Sequence, residues 1–304
     1  MYDYEQRLKA AQNAIKNADH VLIGAGAGLS AAAGLTYSGK RFTGNFADFI
    51  KKYGVEDMYS ASFYPFPTQE ELWAHWARHI DVNRYLEGPT PLYRDLLCLV
   101  RVKDFFVITT NVESQFEKAD FPMDKIFEVQ GNYGYLQCAK GCHSKRYENM
   151  RLVKQMVAET RNCKIPSYLV PVCPVCGGPM DVNLRHNNYF VQDNAWYAQN
   201  DRYQAYVRRI QKKRTVFLEL GVGFNTPGII RYPFEQMAHQ YSHAVLVRMN
   251  RDYPMGAKEN LERTISFDED MEETIRLLLS NDKERGNPYM SPPVIESKIT
   301  NEAR

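Results

Sequence analysis

Val21-Leu22-Ile23-Gly24-Ala25-Gly26-Ala27-Gly28-Leu29-Ser30 sets an apolar run directly against three alternating glycines. The run reads as a short buried strand that stops where the glycines begin, and a small-residue helix from Leu29 to Gly34 follows. Strand, glycine turn and helix are the opening unit of an α/β fold. Without side chains in the way, such a turn lets a phosphate approach backbone N–H groups at a helix start, where the dipole favours anions. The usual dinucleotide fingerprint is not met: its third glycine would fall at Leu29, and no acidic strand end follows about 20 residues later. A Walker lysine-serine pair is also missing. The turn therefore points to a nucleotide bound in a variant way.

Outward from this turn the pattern repeats. Leu8, Ala11, Ile15 and Ala18 keep helical spacing ahead of it. Further buried strands are predicted at Phe105–Thr109, at Thr215–Leu220 running into Gly221-Val222-Gly223, and at Ala244–Met249 ending at Asn250. Nearly continuous apolar runs suit strands covered on both faces, as in a parallel sheet, whose carboxyl ends bind ligands. Two interruptions separate them. Gly39 to Gly88 is helical and aromatic, clearest at Glu70-Glu71-Leu72-Trp73-Ala74-His75-Trp76, and Tyr133 to Asn183 carries four of the six cysteines. Trp196 to Gln211 reads as a surface helix. It is either a docking face for an acidic carrier or a solvated face over an apolar stripe.

Composition limits the function. The 304 residues are 44% hydrophobic and 24% charged, which excludes collagen-like and wholly disordered chains. Thirty-eight Lys and Arg against 36 Asp and Glu leave +2, so bulk charge gives no argument for nucleic acid. No stretch approaches the roughly 18 apolar residues of a membrane span, and the N-terminus lacks a secretion signal, so a cytoplasmic protein is expected.

Cys138-Ala-Lys-Gly-Cys142 and Cys173-Pro-Val-Cys176 form two short pairs thirty residues apart. Four thiolates in tight turns satisfy tetrahedral zinc and leave no position for an activated water, so one structural Zn2+ is expected. Four ordinary buried thiols are the alternative. His143 and Cys163 are spare ligands, and Cys98 reads as core.

The order of these motifs resembles the sirtuins, NAD-consuming protein deacylases and ADP-ribosyltransferases. Glycine turn, Thr109-Thr110-Asn111-Val112-Glu113, Glu128-Val129-Gln130-Gly131, four cysteines, Gly221-Val222-Gly223 and Asn250 carry the resemblance from about Asp19 to Leu279. It implies an α/β fold: a Rossmann-like NAD-binding domain at 1–132 and 184–281, with a helical insertion at about 40–88. A zinc-binding module at 133–183 and a C-terminal tail at 282–304 complete the expected division. NAD would lie between the domain and the smaller lobe. The cofactor residues implied are Gly24, Ala25, Gly26 and Ser30 of the turn, and Gly34, Leu35 and Tyr37 of the loop after it. Thr110, Asn111, Gln130, Gly221, Val222, Gly223, Asn250 and Arg251 complete them, with Asn111 and Gln130 as the catalytic pair on the ribose.

Departures from the family pattern carry as much information. The asparagine motif usually has glutamine before and aspartate two after; here these are Thr110 and Glu113. The loop after the first helix reads Gly34-Leu35-Thr36-Tyr37-Ser38-Gly39, and the deacylase histidine falls at Gln130. These replacements resemble the macrodomain-associated class M sirtuins. By that resemblance the chain is a protein ADP-ribosyltransferase acting on a lipoylated carrier similar to the glycine-cleavage H protein, with a macrodomain hydrolase as functional partner. Chemistry agrees. Deacylation needs a base to deprotonate a ribose hydroxyl, which histidine can be and a glutamine amide cannot. A carboxylate acceptor is already anionic at pH 7 and needs no base. Three readings stay open: transfer, a lysine deacylase with Glu113 as base, and a non-catalytic NAD sensor.

Overall fold

The computed structural model describes residues 3–283. The extended tail expected from residue 282 lies outside these from 284 onward, and the last helix, Met271–Lys283, takes in the two residues before that.

Among the described residues nine strands form two sheets. In chain order they are β1 (His20–Ala25), β2 (Asp104–Thr109), β3 (Ile126–Glu128), β4 (Gly131–Cys138), β5 (Tyr147–Glu148), β6 (Met180–Leu184), β7 (Thr215–Leu220), β8 (Ala244–Met249) and β9 (Thr264–Phe267). The larger sheet is parallel throughout, in the order β3-β2-β1-β7-β8-β9. The smaller is antiparallel, in the order β5-β4-β6.

Alternation explains how one short apolar run serves two cores. Val21, Ile23 and Ala25 point to one face of the larger sheet with Val107, Leu218 and Val247. Leu22 points to the other with Phe106, Ile108, Phe217 and Leu246. Two strands of the larger sheet and all three of the smaller one were not expected from the sequence. β3 is three residues long, and β9 interleaves Thr and Ser with its apolar residues, so neither makes a run. The helix Asn194–Ile210 buries Trp196, Tyr203, Tyr206 and Ile210 while Tyr197 stays exposed, an apolar stripe beneath a solvated face.

From β1 the chain works outward to β3 on one side, and from β7 to β9 on the other. That reversal opens a crevice at the carboxyl ends of β1 and β7, where open α/β sheets bind ligands. The two interruptions between strands join into one lobe beside it. Phe42, Phe46, Phe49, Trp73 and Ala77 of the helical stretch share a core with Tyr133, Leu136, Val153 and Val182. The small sheet opens at Gly131 and closes at Leu184. Among the described residues no helix is long and apolar enough to cross a membrane.

Candidate active site

Two glycine turns meet at the floor of the crevice. The Gly26 amide donates to the Leu220 carbonyl at 3.0 Å, and that of Gly28 to the Gly221 carbonyl at 2.9 Å. A Cβ on Gly26 would stand 2.7 Å from the Gly221 oxygen, and one on Gly28 2.6 Å from the Gly221 Cα. Gly221 itself holds φ at +62°, a left-handed conformation that favours glycine. These glycines therefore serve first to close one backbone turn on the other. Their amides are occupied, which corrects the expectation of a turn whose N–H groups stand open to phosphate. Gly24 has a different reason again. Inside β1, its Cβ would meet Ile230 at 2.4 Å and Phe234 at 2.6 Å, so it admits the helix Arg231–Gln240.

Asn111 follows β2 and reaches under this floor. Its Nδ2 donates to the Gly26 carbonyl at 3.0 Å, to Ser30 Oγ at 3.0 Å and to Tyr93 Oη at 3.2 Å. A carbonyl can only accept, so the amide nitrogen faces Gly26 and the oxygen Oδ1 faces away. Asn111 thus presents an acceptor rather than a donor beyond its own cluster, and unlike Gly26 and Thr110 it is not among the residues lining the cleft. Glu113 completes the cluster. Ser30 Oγ donates to its Oε1 at 2.5 Å, and the Val112 amide donates to Oε2 at 3.0 Å. The carboxylate is buried and turned into the protein, so the alternative in which Glu113 is the ribose base loses its geometric support. Burial pushes the Tyr93 hydroxyl well above the usual phenol range, keeping it protonated.

Gln130 lies in the two-residue crossing from β3 to β4, where the chain leaves one sheet for the other. Glu128 anchors the crossing, accepting from Ser114 Oγ at 2.9 Å and Asn132 Nδ2 at 2.7 Å. Burial raises the Glu128 carboxyl, and these two donors work against that rise. Gly131 adopts φ +103°, and a Cβ there would stand 2.1 Å from the Asn183 carbonyl oxygen. The Gln130 carbonyl accepts from the Arg185 amide at 2.9 Å, tying β4 to the end of β6. Its side-chain Oε1 is buried, has no partner among the described residues, and belongs to a residue lining the cleft. An orphaned amide oxygen in a cavity wall asks for a donor from a ligand.

The cleft holds about 1080 Å³, near the upper end of small-molecule sites. Of the residues expected to hold the cofactor, Gly26, Thr110, Gln130, Gly221, Val222, Gly223, Asn250 and Arg251 line it. Gly24, Ala25, Ser30, Gly34, Leu35, Tyr37 and Asn111 are not among its lining residues. Leu35 is core, and Tyr37 is held by Tyr133, oxygen to oxygen at 3.5 Å. Asn250 lines the cleft with its amide already committed: Nδ2 to the Val222 carbonyl at 2.8 Å, Oδ1 from the amides of Asp252 and Tyr253. A ribose contact from that side chain is not what the geometry shows; it is a turn residue bridging two loops.

Several lining residues were not anticipated. The small lobe contributes Tyr59, Phe63, Arg185 and His186, and the far end contributes Phe224 and Tyr253. His186 pairs through Nε2 with Asp181 at 2.8 Å. That hydrogen bond raises its pKa above the usual imidazole value. An Arg-His dipeptide at the carboxyl end of a strand opposite Gln130 was the available signal.

The four cysteine sulfurs all lie within 4.8 Å of one another, with Cys138–Cys176 at 3.7 Å and Cys142–Cys173 at 3.6 Å. A tetrahedron of thiolates at Zn–S of about 2.3 Å has edges of roughly 3.8 Å, so the donor set fits zinc. His143 Nε2 is 3.4 Å from Cys173 Sγ, an outer hydrogen-bond partner, and Cys163 lies outside the cluster.

Comparison with known proteins bears on this architecture. No family model matches the chain. Solved structures match its fold: a Sir2 homologue in complex with 2'-O-acetyl ADP-ribose at TM-score 0.59, 15% identity and coverage of 95% of this chain and all of the other. A Sir2 homologue–NAD complex matches at TM-score 0.56 and 15% identity, covering 91% and 94%. The fold is that of the sirtuins. Within it, a protein ADP-ribosyltransferase of Staphylococcus aureus is 37% identical over 289 residues, 94% of this chain and 91% of that one. A probable bifunctional ADP-ribose hydrolase/ADP-ribosyltransferase of Fusarium oxysporum f. sp. cubense is 34% identical over 76% of this chain, which spans 40% of that protein. The chain belongs to the sirtuin-fold protein ADP-ribosyltransferases.

Proposed function

We propose that this protein transfers ADP-ribose from NAD to a carboxylate on an acceptor protein and releases nicotinamide. The observation that carries the reading is Gln130: an uncharged amide with an unpartnered oxygen on the wall of a dinucleotide-sized cleft.

The reaction breaks the bond between the ribose C1' and the nicotinamide nitrogen. The electron pair leaves with nicotinamide, and a cation-like ribose remains. Fixed dipoles stabilise such a transition state more than a mobile solvent does. In this reading Gln130 Oε1 accepts from a ribose hydroxyl. Asn111, its Nδ2 held by Ser30, Tyr93 and the Gly26 carbonyl, adds the negative end of a second amide dipole through Oδ1. An acceptor carboxylate oxygen then bonds to C1', giving an ester with no proton to remove. Zinc, when bound by Cys138, Cys142, Cys173 and Cys176, supplies no chemistry and holds the small lobe against the cleft.

The acceptor reading goes further than the site. A lipoylated carrier similar to the glycine-cleavage H protein is proposed as the acceptor from the class M resemblance. A macrodomain hydrolase is proposed as the enzyme that reverses the mark, and the Fusarium relative, named for both activities, supports that link.

One observation favours a second reading. His186 is an imidazole on the cleft wall, and Asp181 raises its basicity. Deacylation with His186 as base is therefore the competitor. Adenylate-labelled NAD offered together with lipoylated carrier and acyl-lysine peptide separates the two. Label on the carrier, cleaved by neutral hydroxylamine and undiminished in His186→Gln, supports transfer. Acyl-ADP-ribose that vanishes in His186→Gln overturns it, and binding without nicotinamide release shows a sensor.

A further inference from the structure

Gln130 stands at the middle of a loop whose two ends are tied to a single side chain. Glu128, two residues before it, and Asn132, two residues after it, both bond Ser114 and also bond each other. Ser114 belongs to the segment after β2, three residues beyond Asn111. All three side chains are buried. Two backbone bonds run alongside, from the Val129 amide to the Thr109 carbonyl at 3.1 Å and from the Tyr133 amide to the Val112 carbonyl at 2.9 Å.

The donors and acceptors fix the polarity of this ring. The Gly134 amide can only donate, and it meets Asn132 Oδ1 at 2.7 Å, so Nδ2 faces the other two members. Nδ2 gives one hydrogen to Glu128 Oε2 at 2.7 Å and the other to Ser114 Oγ at 2.9 Å. The single Ser114 hydrogen then goes to Glu128 Oε1 at 2.9 Å. Each hydrogen is used once, and both carboxylate oxygens accept.

A carboxylate taken out of water and met by neutral donors is costly, so fold stability is a poor reason for the ring. Ser114 adds to the cost, since at φ +60° it holds a left-handed backbone that favours glycine. Strain of this kind persists where the surroundings over-determine it, and it gathers at functional sites. Placement gives the better reason. Gln130 Oε1 has no partner among the described residues, so the backbone on either side must decide where the amide points. The ring fixes both sides at once, against the segment that carries Asn111.

We infer that Ser114, Glu128 and Asn132 are positioning residues whose ring holds the Gln130 amide in register with that of Asn111, so that both amide oxygens serve one ribose. This rests on the NAD-transfer reading.

The test follows nicotinamide release from NAD by the zinc-loaded protein with lipoylated carrier present. It compares wild type, Ser114→Ala, Glu128→Gln, Asn132→Asp and the double variant Glu128→Gln/Asn132→Asp. Asn132→Asp sets two carboxylates face to face and should lower kcat about 100-fold, the scale of a small misplacement, with the KM for NAD little changed. Glu128→Gln and Ser114→Ala each leave one contact unmatched and should lower kcat about tenfold. The double variant exchanges the two polarities at constant charge and should regain about tenfold over Asn132→Asp. ADP-ribose affinity, measured by calorimetry, should be the same in all five proteins. A double variant no better than Asn132→Asp overturns the inference. An unchanged kcat in Ser114→Ala does so too, and that variant decides if the others fail to fold. Parallel loss of kcat and of ADP-ribose affinity marks a general structural role and also overturns it. Wild type that binds ADP-ribose yet releases no nicotinamide removes the transfer reading and this inference with it. Wild type that turns over, with every variant at full rate, removes this inference alone.

Discussion

The two lobes are built on different physical grounds. The large lobe is a parallel sheet in which β1, β2, β7 and β8 run in register and bury nearly all of their side chains. Burial of aliphatic surface on both faces is sufficient for it. The small lobe has a three-stranded sheet, one strand of it two residues long, and helices of modest length. Its core is aromatic and polar-tipped: His75 stacks on Phe66 at 5.3 Å and lies 5.5 Å from Phe46, while His79 bonds Tyr133 at 3.0 Å. A sheet this small is marginal alone, and four cysteines supply the staple. The difference teaches where the enzyme can be disturbed without unfolding: the small lobe holds Gln130, Arg185 and His186 over the cleft, yet it is the less self-sufficient half.

The largest break in that contrast is removal of zinc. Structural zinc contributes on the order of 10 kcal/mol to small metal-folded units. Chelation or Cys173→Ser should therefore strip amide-exchange protection from residues 131–184 and abolish transfer, with strands β1, β2, β7 and β8 still protected. Uniform loss of protection would show one cooperative unit instead.

A second test removes the floor dipole. Asn111→Ala should lower the transfer rate roughly 100- to 1000-fold, the scale for one preorganised polar group, with NAD binding changed little. Full activity in this variant, measured by nicotinamide release, sinks the assignment.

Acid should sharpen the contrast next. Burial depresses His75 to about 3 from an ordinary value near 6.5, with Arg78 adding to the effect. An imidazole depressed in the fold is protonated first in the unfolded chain, so its contribution is complete above about pH 6.5 and fades as pH falls toward 3. Both His75 nitrogens lack partners among the described residues, so His75→Phe is compatible with the aromatic surroundings. The variant should show a flatter thermal midpoint between pH 6.5 and 4 than wild type; identical pH slopes would exclude His75 as the cause.

The smallest effect is expected from Tyr93→Phe. It removes one acceptor from Asn111 and one donor to Glu113, worth about 1 kcal/mol of stability, and should slow transfer about fivefold by loosening the amide. A wild-type rate would show that Ser30 and Gly26 suffice.

Much of the framework was legible because burial leaves a mark on sequence. Val21-Leu22-Ile23, Phe105 to Thr109, Thr215 to Leu220 and Ala244 to Met249 announce themselves as covered strands, and paired cysteines announce a metal tetrahedron. β3 and β9 did not, because edge strands of three and four residues need no apolar run. The cleft was legible in its landmarks and misread in its details. The glycine turn was expected to offer backbone amides to phosphate, and Gly26 instead spends its amide on Leu220 at the end of β7 and Gly28 on Gly221 just after it. Asn250 was expected on a ribose, and its side chain closes a loop. Arg185 and His186 were passed over, since their relation to Gln130 exists only across the β4–β6 ladder.

By itself the sequence determined the alternation of strand and turn, the cysteine pairs that suit zinc and an uncharged amide at residue 130. These are local properties, set by side-chain chemistry and by spacing along the chain. Tertiary structure alone decided which hydrogen-bonding groups remain unspent. That depends on what each donor and acceptor meets from distant segments, and it left Gln130 Oε1 buried without a partner among the described residues while filling the amides of Gly26, Gly28 and Asn250.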